Sequence, residues 1–365
     1  MTARILPYVV PFLGALALTL VLTPIVRGVN RRLGMVDRPG GRRINRTPIP
    51  RGGGVALFLG IAVSYSLFLL LSGHQPLGPV PTYVFWRLSA LAALSTAIGL
   101  ADDKWSLPPL AKLAGQLVVG LLVWLWAGLG FSDLWPSIPA PVDCVLTVFW
   151  VVGAMNAFNL IDGLDGLAVG VAAISSTSML IVSLLVAEPV VSVILAALTG
   201  ACLGFMPYNM NPAKIFMGDV GSQLLGFVLA TASIMGLFKM HAIFTFFVPM
   251  LSLALPLTDT VFAFCRRISH GQSPFRADRG HFHHRLLAMG LSQKQAVAVL
   301  YTISAVMGLL AVILAAETAG LRLICLVVIG VLVIAVWAFV FHKNPNLRMG
   351  HPNCPTAAPD RHEDQ

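Results

Sequence analysis

Apolar runs as long as a bilayer core is thick recur from one end of this chain to the other. A spanning helix needs roughly 20 apolar residues. About eleven such runs are present, near 5–26, 53–72, 84–101, 110–131, 142–158, 166–187, 189–206, 221–238, 242–264, 296–316 and 320–341. A secretory signal accounts for a single run, not for this many. Only 11% of the 365 residues are charged, against about 25% in soluble domains, and the mean hydropathy is +0.84. Backbone polar groups in lipid must be bonded within a helix or a closed barrel. These runs lack the short alternating pattern of barrel strands. The expected fold is all-α, a polytopic integral membrane protein with about eleven transmembrane helices. The membrane domain is expected over 1–343, followed by a polar, Pro-rich, disordered cytoplasmic tail over 344–365.

Lys and Arg set the expected orientation. With the N-terminus outside, the segments 27–52, 102–109, 159–165, 207–220, 265–295 and the C-terminal tail share one side. All of the 24 Lys and Arg fall on that side except Arg4, Arg87, Lys239 and Arg322. Such a bias marks the cytoplasmic face of an inner (plasma) membrane. It also gives the net charge of +9 an explanation that needs no nucleic acid. Cys144, Cys202, Cys265, Cys325 and Cys354 contain no C-x-x-C spacing and read as small core residues rather than a disulfide framework or zinc site.

Five polar constellations lie on the basic side. Asp102 and Asp103 end the third run; adjacent carboxylates repel unless water, a metal or cations are near. A solvated helix end is the plainer reading. Lys112 and Gln116 follow one helical turn apart, where Lys112 either snorkels to headgroups or meets a phosphate. Asn156, Asn159, Asp162 and Asp165 recur every three residues at the end of the fifth run, with Gly163 and Gly166 among them. Polar side chains in a span are costly and usually functional, although Asn156 alone also suits an interhelical hydrogen bond. Met217-Gly-Asp219-Val-Gly-Ser222 opens the eighth run, where free N–H groups and glycines admit an anion. Asp219 is an N-cap or a magnesium ligand; magnesium on a phosphate substrate needs only one or two carboxylates. The segment 273–285 holds Asp278, Arg279, His281, His283 and His284. Three His and three Arg make a cationic patch for a diphosphate; a zinc site competes, but the arginines would repel a dication. If helical, His281 and His284 share a face and His283 points elsewhere. The loop 34–54 with Asp37, Arg42, Arg43 and Arg51 reads first as a basic turn-rich loop.

At these residues the chain resembles the polyprenyl-phosphate N-acetylhexosamine-1-phosphate transferases, glycosyltransferase family 4, and is most similar to their bacterial WecA/TagO branch. The likeness runs from Gly34-Met-Val-Asp37-Arg-Pro39 to Arg279-Gly-His281-Phe-His283-His284. It implies ten or eleven transmembrane helices, a cytoplasmic active site, a UDP-sugar donor, undecaprenyl phosphate as acceptor, and Mg2+, with Mn2+ as an alternative. It implies that Asp219 and Asn159 bind the metal with the donor diphosphate and that Asp165 lies near the uracil. Asp102 and Asp103 serve the acceptor phosphate, with Asp102 as candidate base. Lys112 and the loop of His281, His283 and His284 hold diphosphate oxygens. Asp37, Asp162 and Asp278 match family positions. A homodimer is compatible with the family. Asn45 departs from it, since many relatives carry His there.

The implied reaction is attack of a lipid phosphate oxygen on the sugar-linked phosphorus of the donor, with departure of UMP. Two anions must meet, so neutralisation is the main task. A route through an aspartyl phospho-enzyme is an alternative. The resemblance favours GlcNAc 1-phosphate as the group transferred, with a relative using another UDP-N-acetylamino sugar as an alternative. Two further readings are a muramoyl-pentapeptide phosphotransferase and a transporter. The His281-Phe-His283-His284-Arg285 order speaks against the first. The placement of most acids at helix ends rather than at mid-membrane speaks against the second.

Overall fold

A computed structural model describes residues 2–37, 48–71, 82–133, 136–236, 243–269, 281–316 and 318–343. Asn45, Asp278, Arg279 and the tail lie outside the described residues. The elements are α1 (Thr2–Arg32), β1 (Val36–Asp37), β2 (Ile49–Pro50), α2 (Gly54–Leu71), α3 (Thr82–Trp105), α4 (Pro109–Leu125), α5 (Ala140–Ile161), α6 (Leu167–Leu185) and α7 (Pro189–Asn209). They continue with α8 (Gly218–Met235), α9 (Ile243–Ser252), α10 (Ala254–Ser269), α11 (Phe282–Ala288), α12 (Gln293–Ala315) and α13 (Ala319–Lys343). The strands pair as a two-stranded antiparallel ribbon with Val36 opposite Pro50.

The architecture is all-α and membrane-spanning. Among the described residues eight helices are long and apolar enough to cross a bilayer, and the helices beginning at Gly54 and Pro109 are apolar but shorter. Prolines open α4, α5 and α7, where a missing N–H costs nothing because the first turn has no acceptor for it. Ser292 and Gln295 form a reciprocal capping box at the start of α12.

The ninth apolar run, expected as one helix over 242–264, is broken into α9 and α10. Pro256 has no N–H to give the carbonyl of Ser252, and that carbonyl accepts from Ser175 Oγ instead, at 2.5 Å. The fourth run, expected to reach residue 131, ends as a helix at Leu125 and passes into a 3-10 turn at Phe131–Asp133.

The core is centred on α8, 89% of which is buried, whereas only 6% of the membrane window of α13 is. Small residues bring the neighbours of α8 to backbone distance. A Cβ on Gly99 of α3 would stand 2.6 Å from Val220 Cα, and one on Gly226 of α8 would stand 2.5 Å from the carbonyl of Ala154 in α5. Gly54 of α2 packs on Gly221 in the same way. These contacts gather the polar end of α3, the polar end of α5 and the start of α8 into one place. Gly99→Val is expected to destabilise the protein by about 1–3 kcal/mol through overpacking. A melting curve of the purified variant checks this, and an unchanged midpoint would refute the close approach.

Candidate active site

At that place the chain encloses a cavity of about 380 Å³. Its wall carries Asp37, Arg51, Asp103, Asn159, Asp162, Asp165, Asn209, Asp219, His284 and Gln293. Five carboxylates therefore face one small space with Arg51 and His284 as the cationic or potentially cationic groups of its wall.

The helix ends fix each group. Asp103 Oδ1 accepts from the N–H of Asp219 at 3.2 Å and its Oδ2 from the N–H of Val220 at 3.4 Å, so α3 caps the start of α8. Gly218, at φ +72°, makes this possible: a Cβ there would collide with the Asp103 carboxylate. Asp102, the next residue back on the helix, turns toward α4. Its Oδ1 accepts from Leu107 N–H at 2.9 Å and its Oδ2 pairs with Lys112 Nζ at 3.0 Å. Lys112 Nζ also donates to Asp219 Oδ2 at 2.7 Å and to Asn159 Oδ1 at 3.1 Å. Asn159 Nδ2 donates to the other oxygen of Asp219 and to Ser222 Oγ at 3.1 Å. Asp219 thus has both oxygens engaged while keeping 29% of its side chain open to the cavity.

The turn between α5 and α6 supplies the opposite wall. Asp165 Oδ2 accepts from Asn211 Nδ2 at 2.9 Å and from Ala213 N–H at 3.1 Å, and Asn211 also donates to Gln293 Oε1 at 2.8 Å. Asp162 lines the cavity with Asp165 and Asp219. Burial, followed by repulsion from Asp219, Asp103 and Asp165, pushes its carboxyl up to about 8, with Arg51 only partly opposing this. The folded protein therefore binds a proton at Asp162 that the unfolded chain releases near 3.8. Stability from this group is full below the unfolded value and is lost as pH rises through about 8. In EDTA the melting temperature is expected to fall between about pH 4 and about pH 8 and to level off above, and Asp162→Asn is expected to flatten that fall. Equal slopes for the two proteins would mean that Asp162 does not hold the proton.

The β1–β2 ribbon brings Asp37 and Arg51 to the rim, where Arg51 Nη2 donates to Asp37 Oδ1 at 2.8 Å. Phe216 N–H donates to the carbonyl of Pro50 at 2.8 Å and Gly54 N–H to that of Met217 at 3.0 Å, which ties the ribbon to the start of α8.

The three histidines do not act alike. His284 lines the cavity, while His281 and His283 are buried behind it. Burial, with His284 and His281 nearby, drops the His283 ring to about 4, so it is neutral near pH 7. His281 precedes the first residue of α11 rather than standing on its helical face. His281 stacks on His283, with centroids 5.8 Å apart, and the rings of His283 and His284 lie 4.2 Å apart.

Of the residues singled out from the sequence, Asp37, Asp103, Asn159, Asp162, Asp165, Asp219 and His284 share the cavity. Asp102 and Lys112 stand beneath Asp219. Asn156 donates to Gln116 Oε1 at 2.7 Å and to the carbonyl of Val152, beside the cavity wall rather than on it. In the sequence Arg51 reads only as a loop charge, and Asn209, Asn211 and Gln293 do not stand out. Their signal was weak, since single polar residues near helix ends are common.

Among the described residues no three His, Cys, Asp or Glu side chains form a metal-binding group by themselves. The wall nevertheless suits magnesium carried in on a phosphate. Asp219 is partly open, and the carboxylate crowding that keeps Asp162 protonated is what a dication relieves.

The model of the family described as "Glycosyl transferase family 4" matches residues 85–237, which span Asp102, Asp103, Lys112, Asn159, Asp162, Asp165 and Asp219. A Bacillus subtilis protein named "Probable undecaprenyl-phosphate N-acetylglucosaminyl 1-phosphate transferase" is 34% identical over 331 residues, covering 88% of each chain. The chain belongs to glycosyl transferase family 4. Other family 4 relatives are a Mycobacterium tuberculosis "Decaprenyl-phosphate N-acetylglucosaminephosphotransferase" and an Escherichia coli "Undecaprenyl-phosphate alpha-N-acetylglucosaminyl 1-phosphate transferase". The first is 35% identical over 79% of this chain and 78% of its own. The second is 30% identical over 76% of both chains. The matched family 4 region stops before the histidine segment, which reaches the cavity only through tertiary packing.

Proposed function

We propose that this family 4 membrane protein transfers GlcNAc 1-phosphate from UDP-GlcNAc to a polyprenyl phosphate, undecaprenyl phosphate in the simplest case, and releases UMP. The observation that carries the reading is the crowding of five carboxylates with Arg51 and His284 around one cavity at the basic end of the helices. A cavity so acidic is poor at receiving a diphosphate alone and well suited to a magnesium diphosphate.

In the transfer, an oxygen of the lipid phosphate bonds to the sugar-linked phosphorus. The bond from that phosphorus to the bridging oxygen breaks, and UMP leaves with that oxygen. The acceptor monoester has its second pKa near about 6, so no strong base is needed. Asp219 and Asn159 would hold magnesium, which when bound neutralises the donor diphosphate. Lys112 keeps the Asp219 carboxylate oriented. Asp103 holds the start of α8 in place, and Asp165 fixes the Asn211 and Gln293 wall, where the uracil would sit. Arg51 and His284 line the same cavity and would donate to phosphate oxygens. Asp162 lines the same cavity and would feel the charge of a metal held there.

The cavity end carries Arg27, Arg31, Arg51, Lys104, Lys112, Lys214 and Lys294, whereas Arg87 and Arg322 sit at the far ends of their helices. This supports a cytoplasmic site in the inner membrane, with the N-terminus outside and the α9–α10 pair counted as one crossing. Purified protein in nanodiscs is expected to release UMP only when UDP-GlcNAc, undecaprenyl phosphate and magnesium are all present. Absence of UMP with every UDP-amino sugar in a donor panel would defeat the proposal.

A further inference from the structure

Asp259 is a buried acid of α10, and it does not line the cavity described above. Such a carboxylate is costly to retain and needs a stated use. Both of its oxygens are spent on one partner element. Asp259 Oδ2 lies 3.0 Å from His281 Nδ1, and Oδ1 accepts from the N–H of Phe282 at 2.9 Å. Phe282 is the first residue of α11, and no side chain of its own segment caps that helix. One turn along α10, Phe262 meets Phe282 edge to face with ring centroids 6.0 Å apart. Helix α10 therefore grips the start of α11 through a charge, a backbone cap and an aromatic contact.

We infer that Asp259 is the positioning residue of the histidine segment, fixing His281 by its Nδ1 proton and thereby setting the rotation of α11 that puts His284 into the cavity. A carboxylate facing one ring nitrogen places the proton there. The ring of His281 is then locked in plane, and it stacks 4° from parallel on His283, which in turn contacts His284. A one-position rotation of so short a helix would carry His284 off the wall, because successive side chains turn by about 100°. The inference rests on the proposed transferase reading for its kinetic consequence, although not for its spectroscopic one.

Asp259→Asn separates the two tasks. The amide oxygen still caps Phe282, but the amide NH2 requires His281 Nδ1 to be an acceptor. In protein labelled with 15N-histidine and held near pH 8, Nδ1 of His281 is expected to carry a proton in the wild type and to lose it in Asp259→Asn. The signal is assigned by its disappearance in His281→Ala. Turnover measured as UMP release is expected to fall at least about tenfold in Asp259→Asn. The same change in a His281→Ala background is expected to cost less than about twofold. Turnover of Asp259→Asn near the wild-type value, an unchanged Nδ1 signal, or an undiminished loss in the His281→Ala background each overturns the inference. A wild-type protein that releases no UMP instead defeats the transferase reading, and the Nδ1 signal still tests the Asp259–His281 pair.

Discussion

Asp219→Asn is expected to lower UMP release by at least about 10³-fold while the protein still folds. The fold survives because the backbone N–H of residue 219 still donates to Asp103, and because Lys112 keeps Asp102 and Asn159 as partners at 3.0 and 3.1 Å. Removing the Asp219 charge relieves crowding in the cavity but also takes one partner from Lys112, so the melting temperature in EDTA should stay near the wild-type value. Chemistry does not survive, because Asp219 is the carboxylate that sits at the helix start, faces the cavity and accepts from Lys112. Turnover and melting of the same preparation check both halves. Activity within about tenfold of wild type would remove Asp219 from the proposed metal role.

Lys112→Met is expected to lower turnover by about 10²-fold or more and also to destabilise the fold. Its ammonium is the shared partner of Asp102, Asp219 and Asn159. Leaving a buried carboxylate unpaired costs about 3–5 kcal/mol in full burial, and the partial exposure of Lys112 and Asp219 places this case toward the lower end. The double variant Lys112→Met with Asp102→Asn separates structure from chemistry. It should recover much of the stability and little of the turnover, because the orientation of Asp219 is still lost. Recovery of both would make Lys112 a counterion for Asp102 and nothing more.

Much of the membrane architecture was legible because its cause is local. A helix in lipid satisfies its own backbone, so apolar length alone marks it. The errors were local failures of the same rule. Pro256 broke the ninth run at a carbonyl that found Ser175, and the fourth run kept its apolar composition past the point where its helix stops. The site was legible only in part. Asn159, Asp162, Asp165 and Asp219 stood out because acids and amides are rare at the ends of apolar helices. Asn211 and Gln293 did not, since their role comes from meeting Asp165 and each other across the fold.

The sequence by itself determined that the chain is a bundle of membrane helices, that its acids, amides and bases collect at the basic end, and that these groups resemble a phosphosugar transferase. Tertiary structure decided which of them share a space. Asp102 and Asp103 are neighbours in the chain, yet one turns to Lys112 and the other to the start of α8. His281, His283 and His284 are within four residues, yet only His284 reaches the cavity. The physical reason is that a helix turns each successive side chain by about 100°, and which direction is inward is set by the glycine contacts that seat distant helices against α8.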